Sequence, residues 1–262
     1  MTPSWHTIAP PSHDPAILAD SDRVVGITTT VPVECVFAAG LVPVDLNNVF
    51  IDADGPGAMV EEAEASGFPK NICCWIKGIW SAARRLNVRR VIGVVRGDCS
   101  NTHGLLEVFS YQGVEAIPFA YPYERSKDEL LLQLQALCDH LGATLHEAVA
   151  WKERLDTVRT VVHEIDRMTW QEHRVSGLEN HLWQVCCSDF AGDPHRYLNA
   201  LKRFTEIVRG REAEPAQVRL GYVGVPRSVR VFTSSSRGWE RASSSTKCSA
   251  NSPCRRQLSK QV

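Results

Sequence analysis

Two hydrophobic periods alternate along the first half of the chain. Unbroken apolar runs occur in RVVGI, LVPVDL, VRRVIGVV and GVEAIPFAYP, the pattern of strands covered on both faces. Helical stretches separate them. In VPVECVFAAG, Pro32 suits a first turn, Glu34 favours the positive end of the helix dipole and Gly40 is a natural stop. GAMVEEAEAS is helical in composition, and NICCWIKGIWSAARRLN places Ile72, Ile76, Ile79, Trp80, Ala83 and Leu86 on one face. HGLLEVFSYQG predicts a further short helix. Strand, helix, strand in this rhythm predicts an α/β fold with a parallel sheet and right-handed crossovers over residues 23–125.

The middle, residues 126–216, reads as helical. ERSKDELLLQLQALCDHLG has capping-box spacing at Ser126 and Glu129, a stripe of Leu130, Leu134, Leu137 and Leu141, and Gly142 as terminator. A second helix is expected from about 144 to 174. A third runs through DPHRYLNALKRFTEIVRG, with Asp193 as N-cap and Pro194 in the first turn. VRLGYVGVP, within residues 217–226, opens like the first strand of a second, incomplete α/β lobe. Residues 1–22 read as a loose arm.

Composition changes the picture at the C-terminus. Residues 227–262 hold eight of the 29 basic residues, one of the 30 acidic residues and ten serines, so residues 1–226 carry a net charge of -8. An acidic body gives no footprint for nucleic acid. The tail reads either as a disordered basic segment or as a frameshift product. One permitted codon choice for residues 232–255, moved by two bases, encodes YEFIEGLGARVVINEVQRQFTMP. That string has the helix, glycine stop and β-branched strand that should follow VRLGYVGVP.

No run reaches the ~18 apolar residues of a membrane-spanning helix, and the N-terminus lacks the pattern of a signal peptide. A cytoplasmic location is expected. The nine cysteines are then thiols or metal ligands rather than disulfides.

In an open parallel sheet, ligands bind outside the carboxyl ends of the strands. Three features fall there: Thr28, Thr29 and Thr30 after the first strand, Cys99 after VRRVIGVV, and the pair Cys73 and Cys74 before a helix. Thiolates suit zinc or iron–sulfur clusters, and the absence of CxxC weakens a zinc ribbon. A packing role is expected for Cys74 beside Trp75, and a functional one for Cys99 in its polar loop. Cys187, in HLWQVCCSDFAGDP, fits a site or a buried core equally well. Cys35 and Cys138 fit packing on amphipathic helices, and Cys248 and Cys254 receive no role. His103 is either an orienting or proton-transfer group or a solvated loop side chain. Glu34 is either an acid–base group or a dipole-stabilised acid. The chain has neither GxxxxGK[ST] nor GxGxxG, so ATP or NAD binding by those routes is not expected.

Together these segments resemble the 2-hydroxyacyl-CoA dehydratase and benzoyl-CoA reductase family over roughly residues 23–226. VPVECVFAAGLVPVDL resembles the family's opening helix and strand. NICCWIKG and GDCSNTH are similar to its first and second cluster-cysteine segments, and GVEAIPFAYP, SDFAGDP and GYVGVP follow in the family's order. The resemblance implies flavodoxin-like lobes and a [4Fe-4S] cluster held by three cysteines, with one iron open to a substrate oxygen. It also implies an acyl-CoA substrate, an ATP-dependent iron–sulfur activator protein that supplies a low-potential electron, and a homologous second subunit. The implied reaction is radical dehydration of a 2-hydroxyacyl-CoA to a 2-enoyl-CoA through a thioester ketyl, a lyase activity. Cys73 and Cys99 map onto two cluster ligands, with Cys187 as substitute for the third. From their positions, and not from the resemblance, Thr28, Thr30 and His103 are the expected substrate contacts, and Thr29 and Glu34 the expected catalytic groups. The alternatives are a non-catalytic iron–sulfur or acyl-CoA-binding subunit and an inactive fragment.

Overall fold

In a computed structural model the described residues are 7–215, with two short strands, Leu220–Gly221 and Ser243–Ser244, that pair in parallel. Apart from those strands, the expected second-lobe start and the tail, with Cys248 and Cys254, lie outside the described residues. The described residues form two compact units, one of residues 13–152 and one of residues 7–12 with 153 onward.

The first unit is built on four parallel strands, β1 (Val24–Ile27), β2 (Val42–Asp45), β3 (Arg90–Arg96) and β4 (Glu115–Ala120), in the order β2-β1-β3-β4. This is the α/β, flavodoxin-like lobe expected from the sequence. Val24, Val25 and Ile27 of β1 and Val91, Ile92 and Val94 of β3 have no solvent exposure, because these central strands are covered on both faces. The sequence pattern is corrected at β4. Ile117 and Phe119 are buried but Glu115 and Pro118 are exposed, so this is a half-covered edge strand. An edge also tolerates Pro118, which cannot donate to a ladder.

The helices of this unit are α1 (Pro15–Ala19), α2 (Val33–Ala38), α3 (Leu46–Asp52), α4 (Pro56–Ala65), α5 (Cys74–Arg85), α6 (Asn101–Tyr111) and α7 (Lys127–Leu141), of which α2 to α6 connect the strands. In α5, Ile76, Ile79, Trp80 and Ala83 are buried as their spacing predicts. Helix α3, which periodicity misses, starts where the Asp45 carboxylate accepts the Asn47 backbone N–H at 3.0 Å. Only half of the expected capping box forms on α7. Ser126 Oγ accepts from the Glu129 N–H at 3.3 Å, but the Glu129 carboxylate pairs with Arg96 instead.

The second unit holds α9 (Gly177–Val185) and α10 (Pro194–Arg209), and the division between the units falls within α8 (Leu145–Trp170). The expected long second helix ends at Trp170, four residues early, and His173 then takes a positive φ of 57°. A complete capping box, unforeseen from the sequence, opens α9 at Ser176 and Glu179. Glu179 is fully buried, and both its oxygens accept from Arg211, at 2.9 and 3.0 Å. Trp183 stacks on Phe204 at 5.2 Å and meets the edge of Tyr197 at 5.5 Å. Burial holds the Tyr197 phenol well above its usual pKa.

Gly78 offers a test of the packing between α3 and α5. A Cβ there would lie 2.4 Å from the Phe50 ring, which is itself held edge-on against Trp75. Alanine is the better helix former by about 1 kcal/mol, but a rigid ring cannot yield that distance. Gly78→Ala is expected to destabilise the protein by about 1–3 kcal/mol, read as a lower urea midpoint. An unchanged or higher midpoint would show that the helices do not pack this closely.

Candidate functional site

The chain leaves β1 toward β2 on one side and leaves β3 toward β4 on the other. The crevice outside the carboxyl ends of β1 and β3 is therefore the topological switch point of the sheet, where loops diverge and leave room for a ligand. Thr28, Thr29 and Thr30 follow β1, and Gly97, Asp98 and Cys99 follow β3. Helices α2, α5 and α6 begin at the same edge, because each runs antiparallel to the strands it connects. Glu34 and Cys73 thus reach this edge from helix N-termini, and His103 from the first turn of α6.

The threonine loop is held by its backbone. The Thr28 N–H donates to the Ile92 carbonyl at 3.2 Å, the Thr28 carbonyl accepts from Asn47 Nδ2 at 2.8 Å, and the Thr30 carbonyl accepts from the Tyr121 hydroxyl at 2.9 Å. Asn47 does more. Its amide also donates to Asp45 Oδ1 at 2.7 Å, and its Oδ1 accepts from the indole N–H of Trp75, two residues past Cys73. One side chain thereby ties the threonine loop, the end of β2 and the first turn of α5. The Thr28 hydroxyl is buried and has no hydrogen-bond partner.

At β3 the ladder slips. Val94 pairs with Phe119 and Arg96 with Ala120, so Val95 has no opposite residue. Bulges of this kind re-aim side chains at strand ends. The Val95 carbonyl lies 2.7 Å from His103 Nε2, which must carry the proton because a carbonyl only accepts. The imidazole is thus oriented by the bulge, with Nδ1 as its second nitrogen. Past the bulge, the Cys99 carbonyl accepts the Thr102 N–H at 3.0 Å and starts α6.

Cys73 and Cys99 are both exposed, and Cys73 is the N-cap of α5. Cys74 is exposed too, against the packing role expected for it, because the buried stripe of α5 begins only at Ile76. Cys35 and Cys138 are buried, as their helical positions suggest. Cys187 belongs to the other unit, in a one-turn 3-10 helix, Cys186–Ser188, and is 1% exposed. Phe190, Ala191 and Gly192 follow with successive positive φ values of 55°, 51° and 73°. Glu34 is 4% exposed, and Thr29 and Thr30 are half-buried.

Soft thiolate donors exposed at a sheet's ligand edge suit iron–sulfur chemistry, and the positive ends of α5 and α6 favour the negative charge it brings. Two such donors share this edge. Among the described residues, however, no group of three or more His, Cys, Asp or Glu side chains is drawn together to hold a metal ion. No described helix is long and apolar enough to cross a membrane. The residues that sequence reasoning missed are the positioning ones, Asn47, Tyr121 and Gly97. Gly97 alone carried a signal, as a glycine at a strand exit.

Gly97 has φ +97°, and a Cβ would lie 3.1 Å from Tyr121 Cβ. Gly97→Ala is expected to cost about 1–3 kcal/mol in chemical denaturation, by strain and by displacing the tyrosine that holds Thr30. A wild-type midpoint would mean that the turn does not depend on this conformation.

No curated protein matches the chain. The sequence profile of the 2-hydroxyglutaryl-CoA dehydratase D-component family matches residues 28–233, a span that contains the threonine loop, both edge cysteines and Cys187. The chain belongs to that family.

Proposed function

We propose that this chain is a subunit of a 2-hydroxyacyl-CoA dehydratase and that the crevice between β1 and β3 is where the acyl group reacts. The observation that carries this is the placement of two exposed thiols, three threonines and a buried carboxylate along the carboxyl edge of the sheet that holds the switch point. Cys73 and Cys99 would be two of the ligands of a [4Fe-4S] cluster. Bound there, the cluster supplies a Lewis-acidic iron and a route for a single low-potential electron.

The dehydration breaks the C2–O and C3–H bonds of the acyl chain and releases water and a 2-enoyl-CoA. It involves no net redox change, so the electron from an ATP-dependent iron–sulfur activator is returned at the end of each turnover. Glu34, at the start of α2, takes the C3 proton and delivers it toward the departing hydroxyl. Thr29 donates a hydrogen bond to the oxygen on which charge develops, and Thr28 and Thr30 orient the acyl group. His103, fixed through Nε2, offers Nδ1 to the substrate. A homologous second subunit would complete the enzyme.

Two variants test this in an anaerobic assay of the full chain with a second subunit, activator, ATP and a 2-hydroxyacyl-CoA. Cys99→Ser is expected to abolish turnover. Thr28→Val removes a hydroxyl that has no partner, so stability should hold or rise by about 1 kcal/mol, while turnover falls at least ~10-fold. Full turnover by Cys99→Ser would refute the ligand assignment. Iron binding without turnover in the wild type would make the chain a cluster- or thioester-binding subunit instead.

The tail after residue 226 is proposed to be an out-of-frame read of a second-lobe segment. The serine-rich run starts at Ser234, directly after the family match ends at residue 233. Sequencing the coding DNA is expected to show a single insertion or deletion near codons 226–232 whose correction restores a helix–glycine–strand segment. If no such change restores that frame, the tail is native sequence.

A further inference from the structure

Two thiols that no dehydration step uses meet inside the sheet unit. Cys35 on α2 and Cys138 on α7, 103 residues apart in sequence, have their sulfurs 3.1 Å apart and are 1% and 0% exposed. We propose that Cys35 and Cys138 form a reversible dithiol–disulfide site, oxidised by peroxide, that latches α2 to α7.

The distance is the first support. A disulfide needs the sulfurs at about 2.05 Å, so closing this pair takes roughly an ångström of side-chain adjustment. A tetrahedral zinc or iron ion held between two thiolates would instead need the sulfurs spread beyond their present separation. Among the described residues neither thiol belongs to a group of three or more metal-ligating side chains.

The second support is chemical asymmetry. A hydrogen bond with the Cys35 thiol holds Cys138 below its usual pKa, against the opposing effect of burial. Cys138 is accordingly assigned as the attacking thiol, reacting once deprotonated, and Cys35 as the resolving thiol. Cys138 attacks one peroxide oxygen, the O–O bond breaks, and the products are a sulfenic acid and hydroxide. Cys35 sulfur then attacks the sulfenic sulfur, the S–O bond breaks and water leaves with the Cys35 proton. In sum, one thiolate, one thiol and one hydrogen peroxide give the disulfide, one water and one hydroxide. Two sulfurs are oxidised by one electron each, and peroxide accepts both.

The consequence falls on the site without depending on its assignment. Cys35 is adjacent to Glu34 and lies in the six-residue α2 that follows the threonine loop. Closing the bond would remove freedom from both the unfolded chain and α2.

Trypsin separates the relevant cysteines. Cys35 falls in the peptide 24–70, Cys138 in 128–152, Cys73 and Cys74 in 71–77, and Cys99 in 97–125. The full chain, reduced and then exposed to stoichiometric hydrogen peroxide, is digested without reductant and mapped by mass spectrometry. The expected result is a linked 24–70/128–152 pair, two hydrogens lighter than the separate peptides and released by dithiothreitol, with a raised Tm before reduction. The pair is absent in Cys138→Ser, and because the link is mapped in the wild type, the test survives a failure of that variant to fold. Cys35 and Cys138 both recovered as thiols at peroxide levels that oxidise Cys99 would overturn the proposal. So would links from either residue to Cys73, Cys74 or Cys99 in place of the expected pair.

Discussion

The reversal of strand order between β1 and β3 is the constraint on which the rest depends. In this sheet the connection from β1 runs to one side of the starting strand and the later connection from β3 runs to the other. Where the two directions part, no crossover covers the strand ends. The order β2-β1-β3-β4 makes this gap unavoidable at Ile27 and Arg96, and the residues that follow them are the threonine loop and the Cys99 loop.

A gap alone does not make a site; its walls must be held. Each loop here is fixed by main-chain bonds, which leaves side chains available. Asn47 and Tyr121 take the carbonyls of Thr28 and Thr30, and the bulge at Val95 frees the carbonyl that orients His103. The thiols of Cys73 and Cys99 stand at the starts of helices whose apolar stripes begin later, at Ile76 and Leu105. Burial anchors the helices from those positions onward, and the two thiols that precede them stay exposed.

The sheet and most helices were legible in the sequence because burial on both faces writes itself as unbroken apolar runs. The same logic overstated β4, where an apolar run covers only one buried face, and missed α3, whose start is a single carboxylate bond from Asp45. At the site, the chemically distinctive residues were readable from their loops. Asn47 and Tyr121 were not, because their roles rest on partners 19 and 91 residues away in sequence. The exposure of Cys74 was likewise invisible, since it depends on where α5 leaves the core. The capping box that does form, at Ser176, differs from the one anticipated at Ser126 because Arg96 competes for Glu129.

The edge that carries Cys73 and Cys99 is proposed to be an iron–sulfur site. Anaerobic reconstitution of the full chain with iron and sulfide, followed by metal and sulfide analysis and an optical spectrum, tests this most directly. A brown protein with about four irons and four sulfides per chain, as a [4Fe-4S] cluster requires, is the expected result. A colourless, iron-free protein would contradict it.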